Sequence, residues 1–458
     1  MKRNRLRKAA AILLSAMLLT GCGTELSNET AEMTTTDSVQ TETTITTETT
    51  DTQAEMQTTS STERTSVLPE SETTVTTGSQ TTGAASAEKP QTQVQSQTQT
   101  EPTTSAAAPV TSSSYTAHFA DGAYPELNSR ISAMSLEDKI AQMLLISCHG
   151  ETTPETAASG GAGGLCLYAD AFEGKTKEQV VAMNAAYQDL APIPMLISID
   201  EEGGGVTRVS ANPNLRDSKF LRPGKLYELG GWERIESDTA EKADLLLSLG
   251  VNVNLAPVCD VPQSKNDYIY WRCFSMNANE TAEYVKRVVS VMSQHGIGST
   301  LKHFPGYGGS TDTHKGMGYD SRPYEAFTQS DFLPFQSGIA AGADSVMVSH
   351  NIVACMDAEN PASLSPAVHA ILRDTIGYNG VIVTDDLDMN AIRDFCGTEN
   401  AAVMAAKAGN DLICTPNFAG SRNAIAAAVR SGEISERQIN ESVLRIFIWK
   451  EKLSLLPQ

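Results

Sequence analysis

From Tyr115 onward, short apolar runs alternate with longer stretches of helical period. Eight runs are rich in Val, Ile and Leu: 142–148, 164–168, 194–200, 251–257, 298–303, 344–350, 380–385 and 411–415. None alternates strictly between apolar and polar residues, which predicts strands covered on both faces. The intervening stretches 175–191, 236–249, 279–295, 330–341, 365–376, 398–408 and 418–431 carry helical spacing, and 435–453 predicts a last helix. Gly250, Gly296, Gly342 and Gly409 stand just past helical segments, where a left-handed cap is wanted. Eight parallel-type strands with helices between them predict an α/β fold, a (β/α)8 TIM barrel, over residues 115–458. Barrels of this kind carry their chemistry at the C-terminal ends of the strands.

Upstream the pattern is different. Residues 1–22 open with MKRNRLRKAA, continue in an apolar run from Ala9 to Leu19 and end in Leu19-Thr20-Gly21-Cys22. A basic start, a core too short to span a bilayer and small residues before a cysteine predict an export signal. It resembles the bacterial lipoprotein signal, which implies lipidation at Cys22 and anchoring to the outer face of the bacterial cell membrane. Residues 23–114 are about one-third threonine, with Glu, Gln, Ser and Ala making up most of the rest. So few large apolar residues cannot offset chain entropy, and the segment is expected to be a disordered acidic tether. As a flexible coil it would span roughly 50–60 Å. The whole chain of 458 residues has a formal net charge of -21. An acidic globular region argues against nucleic acid as partner, because phosphate binding needs a basic surface. The other cysteines, at 148, 166, 259, 273, 355, 396 and 414, are scattered with no CxxC pair. They predict neither a metal site nor a disulfide framework.

Ionisable residues crowd the predicted strand ends. The third strand ends in Asp200, followed by Glu201, Glu202, three glycines and Arg208. The fourth ends near Asp260, the fifth in Lys302-His303, the sixth in Ser349-His350 and the seventh in Asp385-Asp386. Any one of these is readily explained as a paired loop residue. Together they predict a polar cleft, since each charge would otherwise lose solvation without compensation.

The blocks SIDEEGGGVTR, NLAPVCDV, RCFS, KHFPGYGGSTDTH and GVIVTDDLDM occur in that order. They resemble glycoside hydrolase family 3 β-N-acetylglucosaminidases, and the resemblance covers about residues 130–450. It implies a retaining exo-β-N-acetylglucosaminidase acting on terminal N-acetylglucosamine of wall fragments, with no metal or cofactor. By the same resemblance Asp385 is the nucleophile, and His314 is the acid/base, oriented by Asp312. Asp200, Arg208, Arg272, Lys302 and His303 are the implied sugar-binding residues. In other members the acid comes from a second domain after the barrel. Here the sequence ends at Gln458, so proton transfer is expected from the His314 loop, whose glycines would let it move over the substrate. Strand alternation is expected to send Asp386, the obvious rival, to the opposite side from Asp385. His350 is expected to line the cleft, and Tyr268, Tyr270, Trp271 and Tyr307 are candidate stacking surfaces.

The sequence departs from the family pattern in three places. Gly205 stands where the family usually has arginine in EGGRV. Tyr307 stands where many members have the histidine of PGHG. The loop before D-x-H is one residue shorter than in some members. Three other activities fit the same blocks: a β-glucosidase, a phosphorylase in which phosphate replaces water, and a non-catalytic barrel that binds wall glycan. An imidazole acid/base is compatible with the phosphorylase, because it avoids the repulsion that an anionic carboxylate would impose on incoming phosphate.

Overall fold

A computed structural model describes residues 119–456, apart from 121 and 151. The expected signal, Cys22 and the tether lie outside the described residues.

The strands in chain order are β1 (Leu144–Ser147), β2 (Gly164–Cys166), β3 (Leu196–Ile199), β4 (Val253–Asn254), β5 (Gly298–Phe304), β6 (Tyr319–Asp320), β7 (Ser345–Val348), β8 (Ile352–Val353), β9 (Val381–Thr384) and β10 (Ile413–Thr415). Eight of them form one parallel sheet in the order β10-β1-β2-β3-β4-β5-β7-β9. A parallel bridge between Val383 and Leu412 joins β9 to β10 and closes the ring. This is the expected (β/α)8 barrel, and each of the eight predicted runs coincides with one barrel strand, β5 extending one residue past its run. Every residue of these strands is buried, which accounts for the lack of alternation in the sequence.

The surrounding helices follow from the same patterning. The helix Ala278–His295 buries Thr281, Tyr284, Val285, Val288, Val289 and Met292, one stripe of helical spacing. Asn277 caps its start, and Gly296 ends it at φ 78°. Gly250, Gly342 and Gly409 likewise have positive φ. The helix expected over 236–249 starts earlier. The run Pro223–Ser248 is broken by a kink at Gly230 and Gly231, the latter at φ 60°. Those two glycines hide the first half from a periodicity search.

The helix Glu436–Lys452 closes the N-terminal end of the barrel. Its Trp449 lies at the base among Leu145, Leu196, Val253 and Leu412. A Cβ on Gly298 would come within 3.0 Å of the indole, so the start of β5 must be glycine for the plug to seat. Beside it Lys450 is fully buried, its Nζ donating to Gln142 Oε1 at 2.8 Å.

One feature lacked a sequence signal. The strands β6 and β8 form a separate parallel ribbon, Tyr319 opposite Ile352 and Asp320 opposite Val353. Two residues per strand show no period. The ribbon pins the long loop after β5 to the loop after β7. Among the described residues no helix is long and apolar enough to cross a membrane.

Candidate active site

The C-terminal mouth of the barrel holds a cavity of about 480 Å³. Asp200, Arg208, Arg272, Lys302, His303, His314 and Asp385 all line it, so seven of the eight expected site residues share one wall. The eighth, Asp312, reaches it through His314.

The β3 end is shaped by a buried carboxylate. Glu201 accepts hydrogen bonds from the Arg208 and Val209 amides at 2.7 and 2.8 Å. Gly203, at φ 104°, pairs with Val206 across the turn, and a Cβ there would lie 2.3 Å from the Leu221 carbonyl. The turn therefore returns the chain over the cavity, bringing Val206 and Arg208 to its edge. Gly205, at the family's arginine position, is exposed, and a Cβ there meets nothing within 4 Å.

The β5 end supplies two adjacent cavity residues. The β5–β7 ladder shifts register between Leu301 and Phe304. Such an irregularity re-aims side chains, and it lets Lys302 and His303 both face the cavity instead of opposite sides. Lys302 Nζ lies 2.6 Å from Asp200 Oδ1 and 2.7 Å from Glu202 Oε1. Arg272 grips Glu202 with both Nε and a terminal nitrogen, at 3.0 and 2.7 Å. It also donates to His303 Nε2 at 3.0 Å, while His303 Nδ1 donates to Asp260 Oδ2 at 2.7 Å. Asp260 further accepts from the Tyr307 amide at 2.8 Å. Burial would raise the Glu202 carboxyl, but the Arg272 and Lys302 charges hold it well below the usual carboxylate range. Burial works against the Lys302 ammonium too, yet Asp200 and Glu202 keep its pKa above the ordinary lysine value. The floor is thus a fixed array of donors and acceptors, suited to several hydroxyls in one geometry.

Asp385 follows β9, its amide donating to the Val348 carbonyl at 3.1 Å. Its Oδ1 accepts from the Asp386 amide at 2.9 Å. Burial pushes its pKa up, but the His350 and His303 imidazoles, that amide and His314 outweigh it, and the carboxyl sits below its ordinary value. Asp386 does not turn away as alternation predicts: it lines the same cavity. The strand ends at Thr384, so its two-residue period no longer governs the next positions. Partners distinguish the pair instead. Asp386 Oδ2 is held by His149 Nε2 at 2.7 Å and the Tyr168 hydroxyl at 3.1 Å. Asp385 Oδ2 has no hydrogen-bond partner among the described residues.

His314 Nδ1 donates to Asp312 Oδ1 at 2.8 Å, and the same oxygen accepts the His314 amide at 3.1 Å. Burial tends to raise the Asp312 carboxyl, but these bonds bring it below the ordinary value. The His314 side chain is 60% exposed, and its Nε2 has no partner among the described residues. Asn390, just after the nucleophile turn, donates to the His314 carbonyl at 2.8 Å. This bond ties the loop after β5 to the β9 side, and His314 lines the cavity in this arrangement of the loop. At Tyr307 the sequence departs from PGHG. The ring is buried, standing edge-on to His303 at 5.1 Å, and its hydroxyl bonds Thr313, next to His314. Tyr307 therefore supports the loop and offers no stacking surface.

His350 does not line the cleft. It is fully buried behind Asp385, bonded to Ser363 at 2.7 Å and to the Asp386 carbonyl at 2.9 Å. Burial lowers its pKa, and its bond to the Asp386 carbonyl fixes the turn that carries Asp385. The sequence reading had not given roles to Glu202, Asp260, His149 or Tyr168. The first two were visible at strand ends, but their pairing is a long-range fact. Nothing local marks the other two.

Comparisons with known proteins agree with this geometry. The "Glycosyl hydrolase family 3 N terminal domain" matches residues 135–448. A beta-hexosaminidase of Xylella fastidiosa (strain M12) is 33% identical over 304 residues, covering 63% of this chain and 88% of that protein. One of Stenotrophomonas maltophilia (strain R551-3) is 35% identical over 254 residues, covering 53% and 74%. Among solved structures, a glycoside hydrolase family 3 beta-N-acetylglucosaminidase from Paenibacillus sp. str. FPU-7 superposes with a TM-score of 0.66 at 31% identity. That match covers 70% of this chain and 63% of that one. The chain belongs to glycoside hydrolase family 3.

Proposed function

We propose that this family 3 glycoside hydrolase removes terminal β-linked N-acetylglucosamine from glycan ends with retention of configuration. The observation that carries the reading is the convergence on one cavity of Asp385, with an oxygen free, and the Asp312–His314 pair, with Nε2 free. In the first step an Asp385 oxygen bonds to the anomeric carbon as the glycosidic bond breaks. His314 Nε2 gives its proton to the departing oxygen. In the second step His314, now neutral, takes a proton from water, whose oxygen attacks the same carbon and releases Asp385. Asp312 holds Nδ1 protonated and supports the imidazolium that donates in the first step and is regenerated in the second, as in other carboxylate–histidine pairs. Asp200, Lys302, Arg208, Arg272 and His303 hold the sugar hydroxyls.

The relatives named beta-hexosaminidase support the N-acetylhexosamine preference. The test compares release of nitrophenol from the N-acetylglucosaminide and the glucoside by wild type and Asp385→Asn, with the anomer of the first product read by NMR. Equal rates for wild type and variant end the proposal. Running the reaction with and without phosphate decides the acceptor. A sugar 1-phosphate would make the enzyme a phosphorylase, an acceptor change that an imidazole acid/base permits. The N-terminal sequence supports a location at the outer face of the cell membrane, with wall fragments as substrate. Loss of lipid labelling in Cys22→Ser is the expected outcome there.

A further inference from the structure

Trp271 is 64% exposed, although a tryptophan ordinarily buries most of its ring. It ends the short 3-10 turn Tyr268–Trp271. The first residue of that turn, Tyr268, and the residue after it, Arg272, both line the catalytic cavity. The Arg222 guanidinium lies 5.1 Å from the indole centroid and covers one face. Arg222 is itself fixed against the β3 turn, where a Cβ on Gly204 would lie 2.9 Å from its Cβ. The indole is thus held by Arg222, with the Tyr270 ring at 5.2 Å and steeply inclined to it, and most of its surface stays in water.

The side of the cavity on which it stands matters. The same segment touches the acid/base loop: a Cβ on Gly309 would stand 3.8 Å from Asp267 Oδ1. Asp267 is rigid there, its other oxygen accepting the Gln263 and Ser264 amides at 2.7 and 2.8 Å. An acid must face the oxygen it protonates, so the leaving group departs along the His314 loop. A flat aromatic surface beside that loop fits the apolar face of a pyranose ring.

We propose that Trp271 is the platform for the leaving-group sugar, a binding site for the second ring of a β-linked amino-sugar chain. The site rests on the glycosidase reading above and deepens it.

The test sets two substrates against each other in wild type and Trp271→Ala. In triacetylchitotriose the second ring reaches the indole; in N-acetylglucosaminyl fluoride the leaving group is a single atom. The ratio of kcat/KM for the trimer to that for the fluoride falls roughly 3–10-fold in the variant, mainly through KM, and Trp271→Phe restores most of it. An unchanged ratio overturns the proposal. So does an equal loss on both substrates, which would make the indole a mere support for Arg272. If wild type cleaves neither substrate, the glycosidase reading has failed, and calorimetric titration with the trimer decides the platform separately. Weaker binding by Trp271→Ala supports it; equal binding, or none by either protein, overturns it.

Discussion

Two buried lysines mark opposite ends of the barrel and behave in opposite ways. Lys302, at the mouth, has carboxylate oxygens at 2.6 and 2.7 Å, and its pKa rises despite its burial. Lys450, at the base, has a neutral amide oxygen at 2.8 Å. Burial, with a smaller push from the Arg130 charge, lowers its pKa to about 7. Depth is the same, so the difference lies in partners. The mouth keeps its charges because each is matched, and matched charges are what a polyhydroxyl ligand can be held by. The base has no ligand to hold and carries an amine close to neutrality.

Four substitutions bear on that contrast. The largest effect is expected from Asp385→Asn, which should lower kcat by on the order of 10⁴ with the fold intact. In the wild type the ionised carboxylate is the active form, so activity is present above its pKa and lost as pH falls through it. Because that pKa is depressed, the acid limb of kcat/KM should lie below the ordinary carboxylate range. Next comes Lys302→Met, which leaves Asp200 and Glu202 facing each other without their shared cation. A loss of about 3–5 kcal/mol in urea unfolding is expected, together with a raised KM. Little change would mean that mouth and base do not differ in the way proposed.

His314→Asn should cost about 10²–10³ in kcat on sugar leaving groups. A dinitrophenyl leaving group needs little protonation, so the loss there should be far smaller. Lys450→Met is the gentlest and the most diagnostic. The folded pKa of Lys450 is depressed, so between about 7 and the ordinary lysine value the unfolded chain binds the extra proton. Wild-type stability relative to the variant should therefore rise with pH across that window, by up to about 1.4 kcal/mol per pH unit. Below the window the difference should level off, with the variant favoured. A pH-independent difference would remove the contrast.

The barrel itself could be read from the sequence because its signals are local. Eight unalternating apolar runs and glycines such as Gly296 and Gly409 announce strands and caps without reference to anything distant. Asp385, Lys302, His303 and Asp200 were legible at strand ends, and Asp312 and His314 in the loop after β5, and the structure brings them to one cavity or against it. The pairing of Glu202 with Lys302 and Arg272, 100 and 70 residues away, was not, since separation in sequence carries no trace of it. Asp386 shows where local rules stop: the two-residue period is valid while the strand lasts and fails one turn beyond it. Tyr307 shows the reverse. It was a candidate stacking surface, and it is buried, with its hydroxyl on Thr313 and its ring edge-on to His303.

Trp449 seals the far end of the barrel, and this makes the chamber a blind well. A polymer can enter such a well only by its tip, and one freed monosaccharide must leave by the door through which the next tip arrives. Arrival and clearance then compete for a single passage, so accumulating monosaccharide should act as a brake on the enzyme that made it.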